Sequence, residues 1–358
     1  MKTKILIYTH GVDLDGWTSG ALVKLMHELA HPNQKDNVEY TIKEWTYSRE
    51  EPKFEKLIGY DYFYLTDLHF STKLMAQLFD YYNSKFIWID HHQKAIDDFY
   101  KNWKNVAEEN NLYHPVFFNA ICADIEGIQS NDFAACGLTW LYFIEKIIAE
   151  GNIESFCNIF KEFRWSFNNS EFTKGPWWLT LIDSYDRWNN SNIEYWDRFI
   201  MPFQFFMRTH VNSVDTMLKY IDNFENTPNY ETGLPGDLAN PFNLEIRNEI
   251  MSGAMVLDYQ RNLYKAQWKT GYESQLENYK VFVLNTQDRG SIIFENMPGK
   301  HKYDLFVPFY FDGINYNYSM YTFRDDIDCA ELCAKYLMGG GHKKASGGKS
   351  KELFFKKV

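Results

Sequence analysis

Histidine and aspartate residues gather in short segments that each follow an apolar run. The first segment, 10–16, contains His10, Asp13 and Asp15 and ends at Gly16. Because Asp13 and Asp15 alternate, both side chains can point to one side of an extended turn. Imidazole and carboxylate groups are typical ligands of divalent cations. The ordinary alternative is a helix N-cap, since Asp is a preferred capping residue.

Three later segments carry the same residue types. Their members are Asp67, then Asp90, His91 and His92, then Asp183 and Asp186. Taken singly, a lone Asp often caps a helix, and an Asp close to an Arg is usually an ion pair. Two adjacent histidines directly after a buried strand are costly to place without partners, so they favour metal binding.

Strand-like runs and helix-like segments alternate over the first ninety residues. The predicted strands are 4–8, 38–45, 63–65 and 86–89, and the predicted helices are 16–29 and 72–82. This alternation predicts an α/β fold with a parallel sheet. Ligands of open parallel sheets bind beyond the carboxyl ends of the strands. We therefore expect the separated polar segments to meet at one edge of the sheet.

The rest of the chain predicts further domains, since 358 residues suit two or three domains of about 150 residues each. Helices are predicted at 131–149 and 177–188, and a helical connector at 201–275. A smaller α/β domain is predicted over 276–358, with strands at 281–284, 303–311 and 316–323. A helix at 329–337 precedes a glycine-rich loop that begins at Gly339.

Composition excludes several classes of protein. The formal charge of −11 disfavours a protein that coats long duplex nucleic acid, although a bound metal can still attract a small nucleotide. No stretch approaches the roughly 20 apolar residues needed to span a bilayer. The five cysteines are few for the length and are interpreted as reduced thiols. We expect a cytoplasmic protein with no membrane contact.

The order and spacing of these motifs resemble the DHH phosphoesterase superfamily. The resemblance rests on His-x-x-Asp-x-Asp-Gly at 10–16, on Asp67 at a strand end, on Ile-Asp-His-His at 89–92 and on a later Asp. The glycine-rich stretch 339–348 looks like the motif of the companion DHHA1 domain. Tyr-Asp-x-Trp at 185–188 resembles the nanoRNase-like branch, which favours Asp186 over Asp183 as the later Asp.

The resemblance implies a parallel-sheet DHH catalytic domain over 1–200 and a DHHA1 substrate-binding domain over 276–358, with the active site in the cleft between them. It implies two divalent cations, manganese first and magnesium or cobalt as alternatives, about 3.5–4 Å apart. The implied ligands of the first cation are His10, Asp13 and Asp67, and those of the second are Asp15, Asp67, His91 and Asp186.

The resemblance also implies roles around the cations. His92 would hydrogen-bond the scissile phosphate or protonate the leaving oxygen, and Asp90 would orient a histidine. His69 is interpreted as a bystander. The implied substrate-binding residues are Arg324, Gly339, Gly340, Gly341 and His342.

The predicted activity is metal-dependent hydrolysis of phosphodiester bonds in short RNA, or of 3′-phosphoadenosine 5′-phosphate. Alternatives within the superfamily are a cyclic-dinucleotide phosphodiesterase, a single-strand exonuclease and an inorganic pyrophosphatase. The alternative outside enzymes is a nucleotide-binding module that has lost catalysis. The expected partner is a short RNA or nucleotide rather than a long duplex, and a homodimer stays open.

Overall fold

The structure is a computed structural model that describes residues 2–47, 49–109, 125–152, 176–226, 244–288, 290–341 and 343–358. The chain divides into two compact units, Met1–Ala254 and Met255–Val358. No helix in these described ranges is both long and apolar enough to cross a lipid bilayer. The predicted three-part division, with a connector over 201–275, stays a prediction.

A parallel sheet forms the centre of the first unit. Its strands, in spatial order, are β2 (Val38–Trp45), β1 (Thr3–His10), β3 (Tyr62–Thr66) and β4 (Phe86–Ile89). All three pairings are parallel. Successive residues Ile5, Leu6 and Ile7 of β1 are all buried, which is typical of a parallel strand covered on both faces. The predicted α/β fold with a parallel sheet is confirmed.

Helices pack on both faces of this sheet. The longer helices that precede the second sheet in the described residues are α1 (Leu14–Ala30), α2 (Thr72–Tyr82), α3 (Gln93–Glu109), α4 (Ala135–Ala149), α5 (Trp177–Asp186), α6 (Met201–His210), α7 (Val214–Asn226) and α8 (Leu244–Gln267). On one face, Leu74 of α2 and Phe99 of α3 belong to an apolar cluster with Trp88 of β4. On the other face, Phe143 of α4 stacks on Tyr64 of β3 with ring centroids 5.9 Å apart. Successive side chains of β3 point to opposite faces of the sheet, so the helices on the two faces pack against different residues of this strand.

The second unit contains a mixed sheet and a smaller core. Its elements are β5 (Tyr272–Leu276), β6 (Tyr279–Asn285), α9 (Ile292–Glu295), β7 (Leu305–Phe311), β8 (Tyr316–Tyr321), α10 (Cys329–Tyr336), β9 (Gly340–Gly341) and β10 (Ala345–Ser350). The strand order is β5-β6-β7-β8-β10-β9. Cys329 and Cys333 of α10 are free thiols buried against this sheet, and Cys136 of the first unit is also free and buried.

The glycine-rich stretch, expected as a loop, instead forms part of this sheet. Gly340 and Gly341 pair with Gly347 and Ser346 as antiparallel neighbours. A Cβ at Gly339 would lie 1.9 Å from the carbonyl oxygen of Gly347, so only glycine allows the two backbones to approach this closely. The glycines therefore make a tight edge hairpin.

Candidate metal centre

The six predicted ligands lie together at the carboxyl edge of the parallel sheet. His10 is the last residue of β1, Asp67 follows β3, and His91 lies two residues after β4. Because β1, β3 and β4 are neighbours, their ends meet at one edge. The potential ligand atoms form three overlapping groups, each within 4.8 Å: His10, Asp13 and Asp67; Asp15, His91 and Asp186; Asp67, His91 and His92.

The turn from β1 into α1 explains how the first segment folds. Asp13 is the N-cap of α1, and its Oδ1 accepts a hydrogen bond from the Gly16 backbone N–H at 3.0 Å. Its other oxygen, Oδ2, lies 2.9 Å from Nδ1 of His10. A Cβ at Gly16 would lie 2.1 Å from the His10 carbonyl oxygen, so the turn requires glycine there. One carboxylate thus caps the helix and also faces the cluster.

Asp67 connects two of the groups. Its side chain is almost fully buried, and its backbone has a φ of 56°, a left-handed conformation that Asp tolerates better than most residues. Its Oδ2 lies 3.4 Å from Nδ1 of His10, and its Oδ1 lies 3.4 Å from Nε2 of His91. Each oxygen of one carboxylate therefore faces a different imidazole.

The group around His91 is anchored by a distant helix. Nε2 of His91 lies 3.7 Å from Oδ2 of Asp15 and 3.3 Å from Oδ2 of Asp186. The carboxylate of Asp15 accepts hydrogen bonds from the backbone N–H groups of Ala135 and Cys136, at 3.0 and 2.7 Å. These N–H groups belong to the first turn of α4, whose positive end stabilises a carboxylate.

The two candidate aspartates of α5 have different surroundings. Asp183 is buried, and its Oδ1 accepts a hydrogen bond from the Ala134 backbone N–H at 2.7 Å. Its Oδ2 pairs with Arg187 at 2.5 Å. Asp186 instead faces His91. The geometry favours Asp186 over Asp183 as a ligand, and the role itself stays a prediction.

His92 is oriented by Asp90, which is fully buried. Oδ1 of Asp90 lies 2.6 Å from Nδ1 of His92 and also accepts the His91 backbone N–H at 2.8 Å. Because a carboxylate oxygen accepts, this contact makes Nδ1 the hydrogen-bond donor. Oδ2 of Asp90 makes no hydrogen bond within the described part of the chain, and Nδ1 of His69 lies 3.9 Å from it.

Protons on the histidines offset the negative charge of the cluster. Burial lowers the pKa of His10, but hydrogen bonds to Asp13 and Asp67 outweigh it and raise the pKa to about 11. Burial likewise lowers the pKa of His91, and Asp67 leads the carboxylates that raise it to about 10. Burial raises the pKa of Asp186 to about 7 despite the nearby His91. Divalent cations would supply this positive charge instead, releasing the ring nitrogens as ligands. The donor set therefore fits such cations.

The sequence interpretation missed one residue beside the cluster, Tyr47, and treated its neighbour His69 as a bystander. The hydroxyl of Tyr47 lies 2.9 Å from Nδ1 of His69, and the Tyr47 ring centroid lies 5.9 Å from that of His10. Tyr47 lies just after β2. The rule that located the other residues, namely to inspect the positions after each parallel strand, also indicates Tyr47.

The predicted substrate-binding residues belong to the second unit. The guanidinium of Arg324 is half-exposed and pairs with Asp304 at 2.5 Å and with Asp326 at 2.6 Å. A phosphate would compete with these two carboxylates for Arg324. Gly339 precedes β9, which contains Gly340 and Gly341, and His342 lies outside the described residues.

Comparisons with known proteins give fold-level likenesses. No protein-family model and no curated protein matches the chain. An exopolyphosphatase-related protein from Bacteroides fragilis is similar over 99% of this chain and 88% of that one, at 12% identity and a TM-score of 0.45. A pGpG-specific phosphodiesterase from Vibrio cholerae is similar over 98% and 94%, at 14% identity and 0.45. The exonuclease RecJ bound to manganese is similar over 96% and 85%, at 14% identity and 0.40. Because each TM-score is below 0.5, these likenesses carry no weight for the function of this chain.

Proposed function

We propose that this chain is a metal-dependent phosphodiesterase of the DHH phosphoesterase superfamily that hydrolyses short oligonucleotides. The observation that carries the proposal is the position of Asp67, whose two oxygens each lie 3.4 Å from a different histidine. A carboxylate with one oxygen facing each of two sets of nitrogen and oxygen ligands could be shared by two cations, which in a two-metal site lie about 3.5–4 Å apart. The motif resemblance of the sequence agrees with this interpretation.

In this proposal His10, Asp13 and Asp67 hold one cation, and Asp15, Asp67, His91 and Asp186 hold the other. A pair of divalent cations, expected to be manganese, would when bound lower the pKa of a water molecule and neutralise the charge that develops on the phosphoryl oxygens. The protein contributes the fixed positions of the ligands. The hydrogen bonds from α4 to Asp15 and from Gly16 to Asp13 keep both carboxylates in place before any substrate arrives.

His92 is the residue that we propose to contact the substrate phosphate. Its contact with buried Asp90 fixes the protonated nitrogen at Nδ1 and directs the ring through a short, charge-assisted hydrogen bond. Burial lowers the pKa of His92, but Asp90 more than offsets this, so the pKa is raised. A raised pKa favours the protonated imidazole, which is the form that can donate a proton to a leaving oxygen.

The proposed substrate is a short RNA or 3′-phosphoadenosine 5′-phosphate, with a terminal phosphate bound by Arg324 and the 339–342 segment. The net charge of −11 supports a short substrate, because a long polyanion would be repelled. The cytoplasmic location is part of the same proposal and is supported by the free thiols of Cys136, Cys329 and Cys333.

The proposal is tested by a hydrolysis panel with added manganese. The substrates are labelled dinucleotides, longer RNA and DNA, 3′-phosphoadenosine 5′-phosphate, cyclic dinucleotides and pyrophosphate. We expect manganese-dependent release of mononucleotides, with the highest kcat/KM on dinucleotides. Tight binding of dinucleotides without turnover would identify a nucleotide-binding module instead. Faster turnover of long single strands or of cyclic dinucleotides would replace the proposed substrate class.

A further inference from the structure

A cavity of about 290 Å³ lies in the first unit between β2, α2 and α3. Aromatic side chains make much of its wall: Trp45, Tyr47, Phe70 and Phe99. Ligand pockets in proteins measure roughly 300–1,000 Å³, so this one suits a single ring system rather than a whole oligonucleotide.

The cavity shares a wall with the candidate metal centre. Tyr47 and His69 both line it, and the hydroxyl of Tyr47 lies 2.9 Å from Nδ1 of His69. Beyond this wall, the His69 ring centroid lies 6.5 Å from that of His92, and the Tyr47 ring centroid lies 5.9 Å from that of His10. A group in the cavity would therefore be a direct neighbour of a phosphate at the metal centre.

The polar lining of the cavity accepts hydrogen bonds and disfavours anions. Glu51, Asp98 and Ser71 line it. Glu51 is fixed in place, because its two oxygens accept hydrogen bonds from the backbone N–H and the hydroxyl of Ser71, at 2.5 and 2.8 Å. Among the described residues that line the cavity, none is Lys or Arg. A phosphate would meet only like charge here, whereas a ring with N–H donors would find acceptors.

We propose that this cavity binds the nucleobase next to the scissile phosphate and prefers bases with an exocyclic amino group. Among the lining aromatics named above, Tyr47 is the exposed one, so its ring is the one that can stack on a base, and the two carboxylates accept the N–H groups that an amino group adds. The assignment rests on the proposed function, because it makes the cavity a specificity pocket of the same reaction. In this arrangement Tyr47 lies between the base in the cavity and His10 of the candidate metal centre.

The test uses cytidine, which has a 4-amino group and an unprotonated N3, and uridine, which has a 4-carbonyl and an N3–H. Cytidine therefore presents two N–H donors on this edge of the ring and uridine presents one. Each nucleoside is titrated into the protein, and binding is followed by the methyl NMR resonance of Met75, which lines the cavity and is assigned with Met75→Leu. We expect cytidine to bind more tightly than uridine. Ala95→Phe fills the cavity from α3 and should weaken cytidine binding roughly ten- to hundredfold, the range of one base stack. Glu51→Gln should reduce the ratio of cytidine to uridine affinity.

Lys101→Phe is the matched control, since it adds the same side chain at an exposed position of α3 that does not line the cavity. It should bind cytidine like the wild type. Equal cytidine affinity in the wild type and Ala95→Phe would overturn the assignment, as would equal affinity for cytidine and uridine. These readouts need no turnover. If the wild type binds cytidine selectively but hydrolyses no oligonucleotide, only the proposed hydrolase activity is contradicted. If it hydrolyses oligonucleotides but Ala95→Phe does not weaken cytidine binding, only the pocket assignment is contradicted.

Discussion

Substitution of Asp67 by Asn removes one negative charge at the point where two ligand groups meet, with almost no change in volume. Asp67 is 2% exposed, and each of its oxygens faces one imidazole at 3.4 Å. With two cations bound, each oxygen of Asp67 would contact a cation instead of an imidazole. At roughly 1.5–3 kcal/mol for a contact with a charged group, the loss of two such contacts costs about 3–6 kcal/mol. At about 1.4 kcal/mol for each power of ten, kcat/KM on a dinucleotide should fall by roughly two to four powers of ten.

The control is Asp61→Asn, which lies just before β3 whereas Asp67 lies just after it. Asp61 accepts a hydrogen bond from the backbone N–H of Lys4 at 2.8 Å, at the opposite edge of the sheet. Both variants are assayed at saturating manganese, and circular dichroism checks that each remains folded. The control should match the wild type. An activity of Asp67→Asn within tenfold of the wild type would refute the shared-carboxylate interpretation.

Three further predictions concern other residues of the chain. Asp186→Asn should lower kcat/KM at least a hundredfold with little change in stability. Asp183→Asn should mainly lower the midpoint of urea denaturation, because Asp183 accepts a hydrogen bond from a buried backbone N–H and pairs with Arg187. The reverse pattern would assign the ligand to Asp183. Burial, then the charges of His31 and Lys146, lowers the pKa of His27 from 6.5 to about 3. As the pH falls, His27 is therefore protonated in the unfolded chain before it is protonated in the folded chain. The free energy of unfolding should fall as the pH drops below about 6.5, by up to about 1.4 kcal/mol per pH unit. His27→Gln should make that slope shallower in urea denaturation, and an unchanged slope would contradict the prediction. Arg324→Ala should lower kcat/KM on dinucleotides about ten- to hundredfold more than it lowers kcat/KM on bis(nitrophenyl) phosphate, because a charge-assisted contact to the phosphate is lost. Equal effects on both substrates would contradict a phosphate-binding role.

Local periodicity was sufficient to predict several elements with the bounds that the structure has. These are the strands Val38–Trp45 and Phe86–Ile89 and the helix Thr72–Tyr82. The helix predicted over 177–188 ends at Asp186, because the backbone turns left-handed at Trp188, with a φ of 54°. Periodicity carries no information on such a turn.

Strand β5 was not predicted, since its turn lacks the usual sequence signal. The strand Tyr272–Leu276 pairs with the next strand through a turn at Glu277, whose φ is 53°. Hairpin turns with positive φ usually contain Asn-Gly or Asp-Gly. Here Glu277 and Asn278 take these positions, and the sequence therefore gives little sign of a hairpin.

The candidate site was predictable as far as parallel strands determine it. The sequence places His10, Asp67 and His91 after successive apolar runs, and the carboxyl ends of parallel strands meet. The support of Asp15 was not predictable, because its hydrogen-bond donors lie 120 and 121 residues away at the start of α4. The cavity beside the site depends on side chains from three elements, and no local pattern marks such a meeting.

Anomalous scattering from a crystal grown with manganese would show whether Asp67 is shared between two cations. Data collected at the manganese absorption edge should give two peaks about 3.5–4 Å apart at the carboxyl edge of the parallel sheet. One peak should lie among His10, Asp13 and Asp67, and the other among Asp15, His91 and Asp186, with one oxygen of Asp67 on each ion. A single peak, or two peaks of which neither contacts Asp67, would contradict the shared carboxylate and the two-metal site built on it.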